Sequence, residues 1–171
     1  EIWATDEHRI GLKPITRGVW APIGERPVAL GHHRFEWLYV TGFVEPATGR
    51  TVWNVSNGIS KAYFELVLAD FAKSVDAGPN KRIVLQLDNA GWHKSARLNW
   101  HHIKPVYLSA YSPDFNPIER LWQHLKGQAM AGFLTNDGEA LAAKLLESLQ
   151  SLLEEPKLIR SVCAIPSLIR K

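Results

Sequence analysis

Three acidic residues stand at positions where a carboxylate could do chemistry. Asp6 closes the run IWATD, Asp88 follows the apolar run IVLQL, and Glu119 comes just after Asn116-Pro117. Three carboxylates that converge beside a basic surface would bind hard divalent cations, because Mg²⁺ prefers oxygen ligands. Two such ions can activate an attacking oxygen and stabilise a leaving oxygen when a phosphodiester bond is broken. The residue types therefore predict metal-dependent chemistry on a phosphodiester.

Each of these acids also has a purely structural explanation. Asp88 can form an Asx turn, and Asp6 can be a turn residue at the end of a strand. Glu7 competes with Asp6 for any role, but alternation along a strand places the two side chains on opposite faces. The run Asn116-Pro117-Ile118-Glu119 is close to a helix capping box, and the local pattern favours that explanation for Glu119. Both explanations of Asp88 stay open.

The apolar pattern predicts the elements that must position these acids. Strands are predicted over 1–6, 36–44, 51–55, 83–87 and 105–108, and helices over 60–77, from Asn116, and from Asp137 to Pro156. The segments 36–44 and 51–55 favour an antiparallel hairpin. The nearly all-apolar segment 83–87 is typical of a parallel strand covered on both faces. The predicted fold class is α/β, a mixed sheet flanked by helices, with Asp88 at a carboxyl end, where such sheets bind ligands.

Length and composition narrow the class of protein. The 171 residues are 46% hydrophobic and 22% charged, which favours one globular domain and excludes a disordered or low-complexity chain. The lone cysteine, Cys163, excludes an internal disulfide and predicts a reducing, intracellular setting. No apolar run is long enough to predict a membrane span, and no signal peptide opens the chain. Because the first residue is Glu1 rather than Met, we expect a piece of a longer protein.

The basic residues are unevenly distributed along the chain. The formal net charge is +3 and the pI is near 9.1. Acid-poor basic segments occupy residues 8–34, residues 77–104 and the last fifteen residues. Any one of these segments could simply be a solvated surface. Three of them in one small domain predict a polyanionic partner, with nucleic acid as the favoured class.

Three blocks of sequence resemble the signature blocks of DDE transposases. They are WATDE near the start, LDNAGWHKS in the middle and YSPDFNPIERLWQHLK further on. The chain is most similar to the mariner-like superfamily in its bacterial insertion-sequence branch, and the linking stretches GVWAPIGERP and EWLYVTGFVEPATG also resemble that branch. The resemblance covers roughly residues 1–130. Its third block, with a Trp three residues after S-P-x-x-N-P-I-E, is the most specific.

The resemblance implies a fold, a reaction and a set of partners. The fold would be an RNase H-like mixed five-stranded sheet, and Asp6, Asp88 and Glu119 would be the catalytic and metal-binding triad for two Mg²⁺ or Mn²⁺ ions. The reaction would be hydrolysis at the ends of a mobile element, followed by attack of the freed 3′-hydroxyl on target DNA, typically at TA. The partners would be double-stranded DNA with terminal inverted repeats and a second copy of the chain on paired ends. The implied location is the bacterial cytoplasm, at the nucleoid.

We expect residues 1–171 to form one catalytic domain. Its motif-bearing core would reach about residue 130, residues 131–171 would be a helical extension, and the family's N-terminal DNA-binding domain would be absent from this chain. The predicted DNA contacts are Asn89, His93, Lys94, Arg97, Arg17 and Lys126. His93 could instead order the site, and Asn89 could steady a metal-bound carboxylate.

Two other functions remain open. One is an RNase H-like nuclease that cuts without strand transfer, and the other is a domesticated remnant that binds DNA without cutting it. The sequence blocks argue against the first. The intact acid triad argues against the second, because a binding module loses nothing when Glu119 is replaced.

Overall fold

The structure is a computed structural model that describes residues 1–12, 21–24, 36–94, 98–110 and 112–164. Five strands form its sheet, namely β1 (Ile2–Gly11), β2 (Trp37–Glu45), β3 (Arg50–Ser56), β4 (Ile83–Leu87) and β5 (Ile103–Tyr107). The helices are α1 (Lys61–Ser74), α2 (Pro117–His124), α3 (Gly138–Leu153) and α4 (Pro156–Cys163). A 3₁₀ turn (Pro113–Phe115) precedes α2, and a π-helical turn (Leu125–Ala129) extends it.

The sheet is mixed, as the sequence predicts. Its strand order is β3-β2-β1-β4-β5. The β1–β2 and β2–β3 pairs are antiparallel, whereas the β1–β4 and β4–β5 pairs are parallel. This order puts β1 in the centre, next to the first parallel strand. The side chains of β1 and β4 therefore meet at one carboxyl edge of the sheet.

Helices cover both faces of the sheet because apolar residues alternate along its central strand. Trp3 points to one face, where it packs with Phe43 and with the α1 residues Phe64 and Phe71. Ala4 points to the other face, into a core built from α2, α3 and α4. Cys163 is buried in this second core. None of the helices in the described ranges is both long and apolar enough to cross a membrane.

The largest differences from the sequence prediction lie at the end of the first strand and after Pro156. The first strand continues to Gly11 instead of ending at residue 6, because Ala4 to Gly11 all pair with β2. Pro156 ends the α3 pattern, as predicted, but it also opens α4, which the sequence analysis did not predict. Proline suits the first turn of a helix, where its missing N–H has no intrahelical partner to lose. Packing of Ile159 and Cys163 into the second core then stabilises this short helix.

Candidate active site

The three predicted acids line a single cleft at the carboxyl edge of the parallel strands. Asp6, Asp88 and Glu119 all contribute to a cavity of about 460 Å³. The sheet register brings the two aspartates close to each other. Ala4 of β1 pairs with Gln86 of β4, and Asp6 and Asp88 each lie two residues after this pair. The third carboxylate is placed by α2, whose first turn carries Glu119 to the same edge of the sheet. Segments that are distant in sequence thus bring three carboxylates together.

Asp6 lies in a pocket of excess negative charge. Its Oδ2 accepts a hydrogen bond of 3.0 Å from the indole Nε1 of Trp122, which is fully buried in α2. Burial, together with the neighbouring carboxylates of Glu119 and Glu7, raises the pKa of Asp6 to about 7. Burial disfavours the ionised carboxyl, and the groups that oppose this effect, the Trp122 indole and the backbone N–H of Glu7, are uncharged. A bound cation would supply a positive charge.

Asp88 lies in the opposite electrostatic environment, with half of its side chain exposed. Its Oδ1 lies 2.8 Å from the Nδ1 of His93 and accepts a 2.9 Å hydrogen bond from the backbone N–H of Ala90. The hydrogen bond with His93 is the main reason why the pKa of Asp88 is lowered. The bond from Ala90 closes the Asx turn that the sequence allowed. Asp88 therefore both closes an Asx turn and lines the cleft.

His93 bridges two carboxylates behind the cleft. It is fully buried, with its Nε2 3.1 Å from Oε1 of Glu7, whose side chain is only 5% exposed. Burial lowers the pKa of His93, but the hydrogen bonds to Asp88 and Glu7 outweigh it and raise this pKa to about 9. His93 is therefore protonated at neutral pH and donates from both ring nitrogens. The prediction that His93 contacts DNA is wrong, because no part of its side chain reaches the surface.

Glu119 is not part of a capping box, so this prediction is also wrong. Asn116 occupies the N-cap position of α2, but its side chain makes no capping hydrogen bond. Its Nδ2 instead donates to the carbonyl of Thr5 at 3.2 Å, which ties the start of α2 to β1. Burial raises the pKa of Glu119; Lys126 opposes this rise, and Asp88 and Asp114 add to it. The Glu119 carboxylate is thus electrostatically linked to the rest of the cleft.

The remaining predicted residues are divided between the cleft and the undescribed segments. Asn89 lines the cleft, where its Nδ2 donates to the carbonyl of Leu108. Lys94 is exposed beside Asp88, whose pKa it helps to lower, and Lys126 lies beside Glu119. Arg17 and Arg97 lie outside the described residues.

Sequence reasoning missed two residues that support the site. Glu7 was considered only as a competitor of Asp6, yet strand alternation sends it to the opposite face, where it meets His93. Trp122 is fully buried, and its indole N–H also reaches Asp6. The Trp in the third sequence block was the available signal for this second role. Nothing local signals a bond between Glu7 and His93, which are 86 residues apart.

The donor set of the cleft fits hard divalent cations. Three carboxylates line it, and burial together with the neighbouring carboxylates of Glu119 and Glu7 raises the pKa of Asp6. Within the described residues, no three His, Cys, Asp or Glu side chains are close enough to enclose one ion. Mg²⁺ needs no such enclosure, since it keeps several waters and is usually held by one or two carboxylates plus substrate phosphates.

The sequence matches the profile of a known family over most of its length. Residues 1–142 match the family described as DDE superfamily endonuclease, and the chain belongs to this family. Over 127 residues it is 28% identical to the uncharacterized protein y4pE/y4sA of Sinorhizobium fredii, covering 74% of this chain and 93% of that one. Over 129 residues it is 30% identical to the insertion element IS630 uncharacterized 39 kDa protein of Shigella sonnei. That second match covers 72% of this chain and 37% of the relative.

Solved structures of the Mos1 mariner transposase share the fold. The mariner Mos1 paired end complex with Mg superposes with a TM-score of 0.68 at 17% identity, covering 95% of this chain and 56% of that chain. The catalytic domain of Mos1 gives a TM-score of 0.61 at 14% identity, covering 95% of this chain and 78% of that one. The RNase H-like fold and the resemblance to mariner-like DDE transposases of the insertion-sequence branch are thereby confirmed. The chain spans little more than half of the full-length Mos1 chain.

Proposed function

We propose that this domain cuts DNA at the ends of an insertion element and joins the freed 3′-hydroxyl ends to target DNA. The observation that carries the proposal is the meeting of Asp6, Asp88 and Glu119 in one cleft. Lys94 and Lys126 stand beside two of these carboxylates, where they can contact the phosphates of a bound strand. An acidic cleft with basic neighbours suits a polyanionic substrate that is bound together with cations.

Asp6, Asp88 and Glu119 would hold Mg²⁺ or Mn²⁺ in this cleft. When bound, such ions supply activation of the attacking oxygen and stabilisation of the leaving oxygen. The chain itself contributes the orientation of its ligands. The buried, protonated His93 fixes one oxygen of Asp88, and the Trp122 indole fixes one oxygen of Asp6. Both hydrogen bonds that Asp88 accepts within the described residues fall on its Oδ1, which leaves its Oδ2 for a ligand.

DNA ends are the substrate that the relatives favour. Mos1 has been solved as a paired-end complex with Mg and with Mn, and as a strand transfer complex. By analogy, we infer that this protein acts on paired inverted repeats as a dimer, at the bacterial nucleoid, and that its target is TA-type DNA. The basic balance of the chain, +3, supports a DNA partner.

The decisive experiment measures cleavage and joining separately. A labelled duplex with the element's own ends is incubated with the chain and target plasmid in Mg²⁺, in Mn²⁺ and in EDTA. Asp6→Asn, Asp88→Asn and Glu119→Gln should each reduce cleavage to the level seen in EDTA. Asp70→Asn is the matched control, since Asp70 is an exposed acid on α1 outside the cleft, and it should cleave like the parent.

Each product pattern selects one function. Cleaved ends joined to plasmid support the transposase. Cleaved ends without joined product favour a nuclease, and DNA binding without metal-dependent products favours a remnant that only binds. Full cleavage by Asp88→Asn would overturn the assignment of the site.

A further inference from the structure

The side chain of Asn116 has an acceptor that the described part of the protein leaves unpaired. Only 3% of Asn116 is exposed, and its Nδ2 donates to the carbonyl of Thr5. Its Oδ1 is buried and has no hydrogen-bond partner. Buried polar groups in native proteins are nearly always paired, so an orphaned oxygen at a ligand cleft calls for a partner from outside the chain.

The orientation of this amide is fixed by its neighbour. A backbone carbonyl can only accept a hydrogen bond, so the NH₂ group of Asn116 must face Thr5. Flipping the amide would set two oxygens against each other and break the tie between α2 and β1. The oxygen is therefore the atom left without a partner.

The surroundings of the oxygen are rich in acceptors. Asn116 lines the same cleft as Asp6, Asp88 and Glu119, and these carboxylates cannot donate to it once a bound cation keeps them ionised. A nearby donor, the indole of Trp122, is already bonded to Asp6. A hard cation satisfies an amide oxygen in the way that it satisfies carboxylates, because side-chain amide carbonyls are ordinary oxygen ligands of such ions.

We propose that Oδ1 of Asn116 is a fourth oxygen of the divalent-cation site. This inference rests on the proposed function, since it assumes that the three carboxylates hold the ion. It gives Asn116 two tasks. The amide nitrogen anchors the start of α2 to β1, and the amide oxygen would be a ligand of the cation.

Two substitutions at position 116 separate these tasks while leaving a residue that is favoured at the N-cap. Asn116→Asp keeps an oxygen at the same reach but loses the donor to Thr5. Asn116→Ser loses both, and serine and aspartate are both good N-cap residues, so each variant can still begin α2. Because the added charge of Asn116→Asp attracts a cation even without direct contact, the comparison of Asn116→Ser with the parent carries the test, and a purely structural Asn116 predicts equal Mn²⁺ affinity for those two.

The test measures the affinity of the chain for Mn²⁺ in the absence of DNA. Titration calorimetry gives the affinity directly, and the rise in melting temperature on addition of Mn²⁺ gives a second measure. Asn116→Ser should weaken Mn²⁺ binding by about tenfold, which is the low end for loss of a supporting group at a metal site. Asn116→Asp should bind Mn²⁺ at least as tightly as the parent, although its melting temperature in EDTA falls. Equal Mn²⁺ affinity for Asn116→Ser and the parent would overturn the inference, as would an equal loss in both variants.

The same titration separates this inference from the proposed function. If the parent binds Mn²⁺ and Asp88→Asn does not, the carboxylate site stands, and the two position-116 variants alone decide the role of the amide. If the parent binds no Mn²⁺, the cation site and the role of Asn116 are overturned together. Should Asn116→Ser fail to fold, Asn116→Asp still decides, because weaker Mn²⁺ binding by that variant contradicts the inference.

Discussion

The two aspartates of the cleft are the same residue type in the same cavity, yet the protein treats them in opposite ways. Asp88 is half exposed, and a protonated histidine meets its carboxylate and lowers its pKa. Asp6 is more deeply buried, has an uncharged indole as its donor, and has a pKa raised to about 7. The protein supplies the countercharge for one carboxylate and leaves the other without one.

Position in the sheet explains this difference. Asp88 lies beyond the end of β4, where a loop can turn back and insert His93 behind it. Asp6 lies inside β1, where it pairs with Gly42 of β2, and the side chain that reaches it from α2 is the uncharged indole of Trp122. The Asp6 half is therefore the part of the cleft that most needs an external cation, and the Asp88 half is already organised.

Removing the histidine should have the largest effect on stability. In His93→Leu, Glu7 becomes a buried carboxylate without a charged partner. Loss of one partner of a buried ion pair costs about 3–5 kcal/mol. Urea unfolding at pH 7 in EDTA should therefore show a markedly lower midpoint, with Asp88 loosened as well.

A double variant controls for packing around His93. Glu7→Leu with His93→Leu removes both buried charges, and it should recover most of the stability lost by His93→Leu, because apolar replacements of buried pairs are often neutral. If the single variant costs less than about 1 kcal/mol, the bridge is not a charged one. The contrast with Asp6 would then lose its basis.

Asp6→Asn should stabilise the metal-free protein, which is an unusual result for a site residue. Asparagine keeps an oxygen for the Trp122 indole but carries no charge next to Glu119 and Glu7. At pH 8, where Asp6 is forced to ionise, the gain should be on the order of 2 kcal/mol. The same variant should lose the rise in melting temperature that Mn²⁺ gives the parent.

The sign of the pH dependence checks the cause of this gain. Between the ordinary pKa of aspartate, near 4, and about 7, the folded state binds the proton of Asp6 and the unfolded state does not, so stability falls as pH rises. In the parent and in Asp6→Asn alike, His93 makes stability fall further between about pH 6.5 and pH 9, because the pKa of His93 is raised in the folded state. The difference between parent and Asp6→Asn should therefore grow from pH 5 to pH 8. Parallel curves would mean that Asp6 titrates normally.

Asp88→Asn should move stability in the opposite direction and by less. The substitution removes a negatively charged partner of His93. Because the pKa of Asp88 is lowered in the folded state, the ionised Asp88 stabilises the fold above about pH 4, and this stabilisation is lost in acid. Because half of the side chain is exposed, solvent screens the pair, and a loss of about 1 kcal/mol or less is expected at pH 7. Chemical denaturation measures both free energies of unfolding. If Asp6→Asn and Asp88→Asn change the free energy of unfolding by the same amount and in the same direction, the two aspartates do not lie in opposite electrostatic environments.

Local patterns were enough to predict the five strands, three of the four α-helices of the described residues and the three acids. Apolar alternation and helical spacing predicted the sheet, and the blocks around Asp6, Asp88 and Glu119 predicted the cleft. The roles of Asn116, Glu7 and His93 needed contacts across the fold. Asn116 has every local mark of a capping residue, yet the carbonyl of Thr5, 111 residues away, takes its amide. Tertiary competition of this kind leaves no trace in a short window of sequence.

Substitution of the two lysines beside the cleft should give the smallest effect, and it compares the two halves of the cleft from the substrate's side. Lys94 stands beside Asp88 and Lys126 beside Glu119. If each contacts one phosphate, Lys94→Gln and Lys126→Gln should each lower the slope of log affinity against log salt by about 1 for duplex DNA. Fluorescence anisotropy between low and moderate salt measures this slope, and each loss in affinity should be severalfold.

Lys73→Gln is the control for these two variants. Lys73 is exposed near the end of α1, in a cavity with His101 and His102 that none of the three acids lines. A phosphate contact at the cleft predicts no change in slope for this control. If all three lysine variants change the slope of log affinity against log salt equally, DNA affinity depends on the net charge of the chain and not on contacts at the cleft. If Lys94→Gln alone acts, the strand runs along the organised Asp88 half, and Lys126 serves mainly to moderate the charge of Glu119.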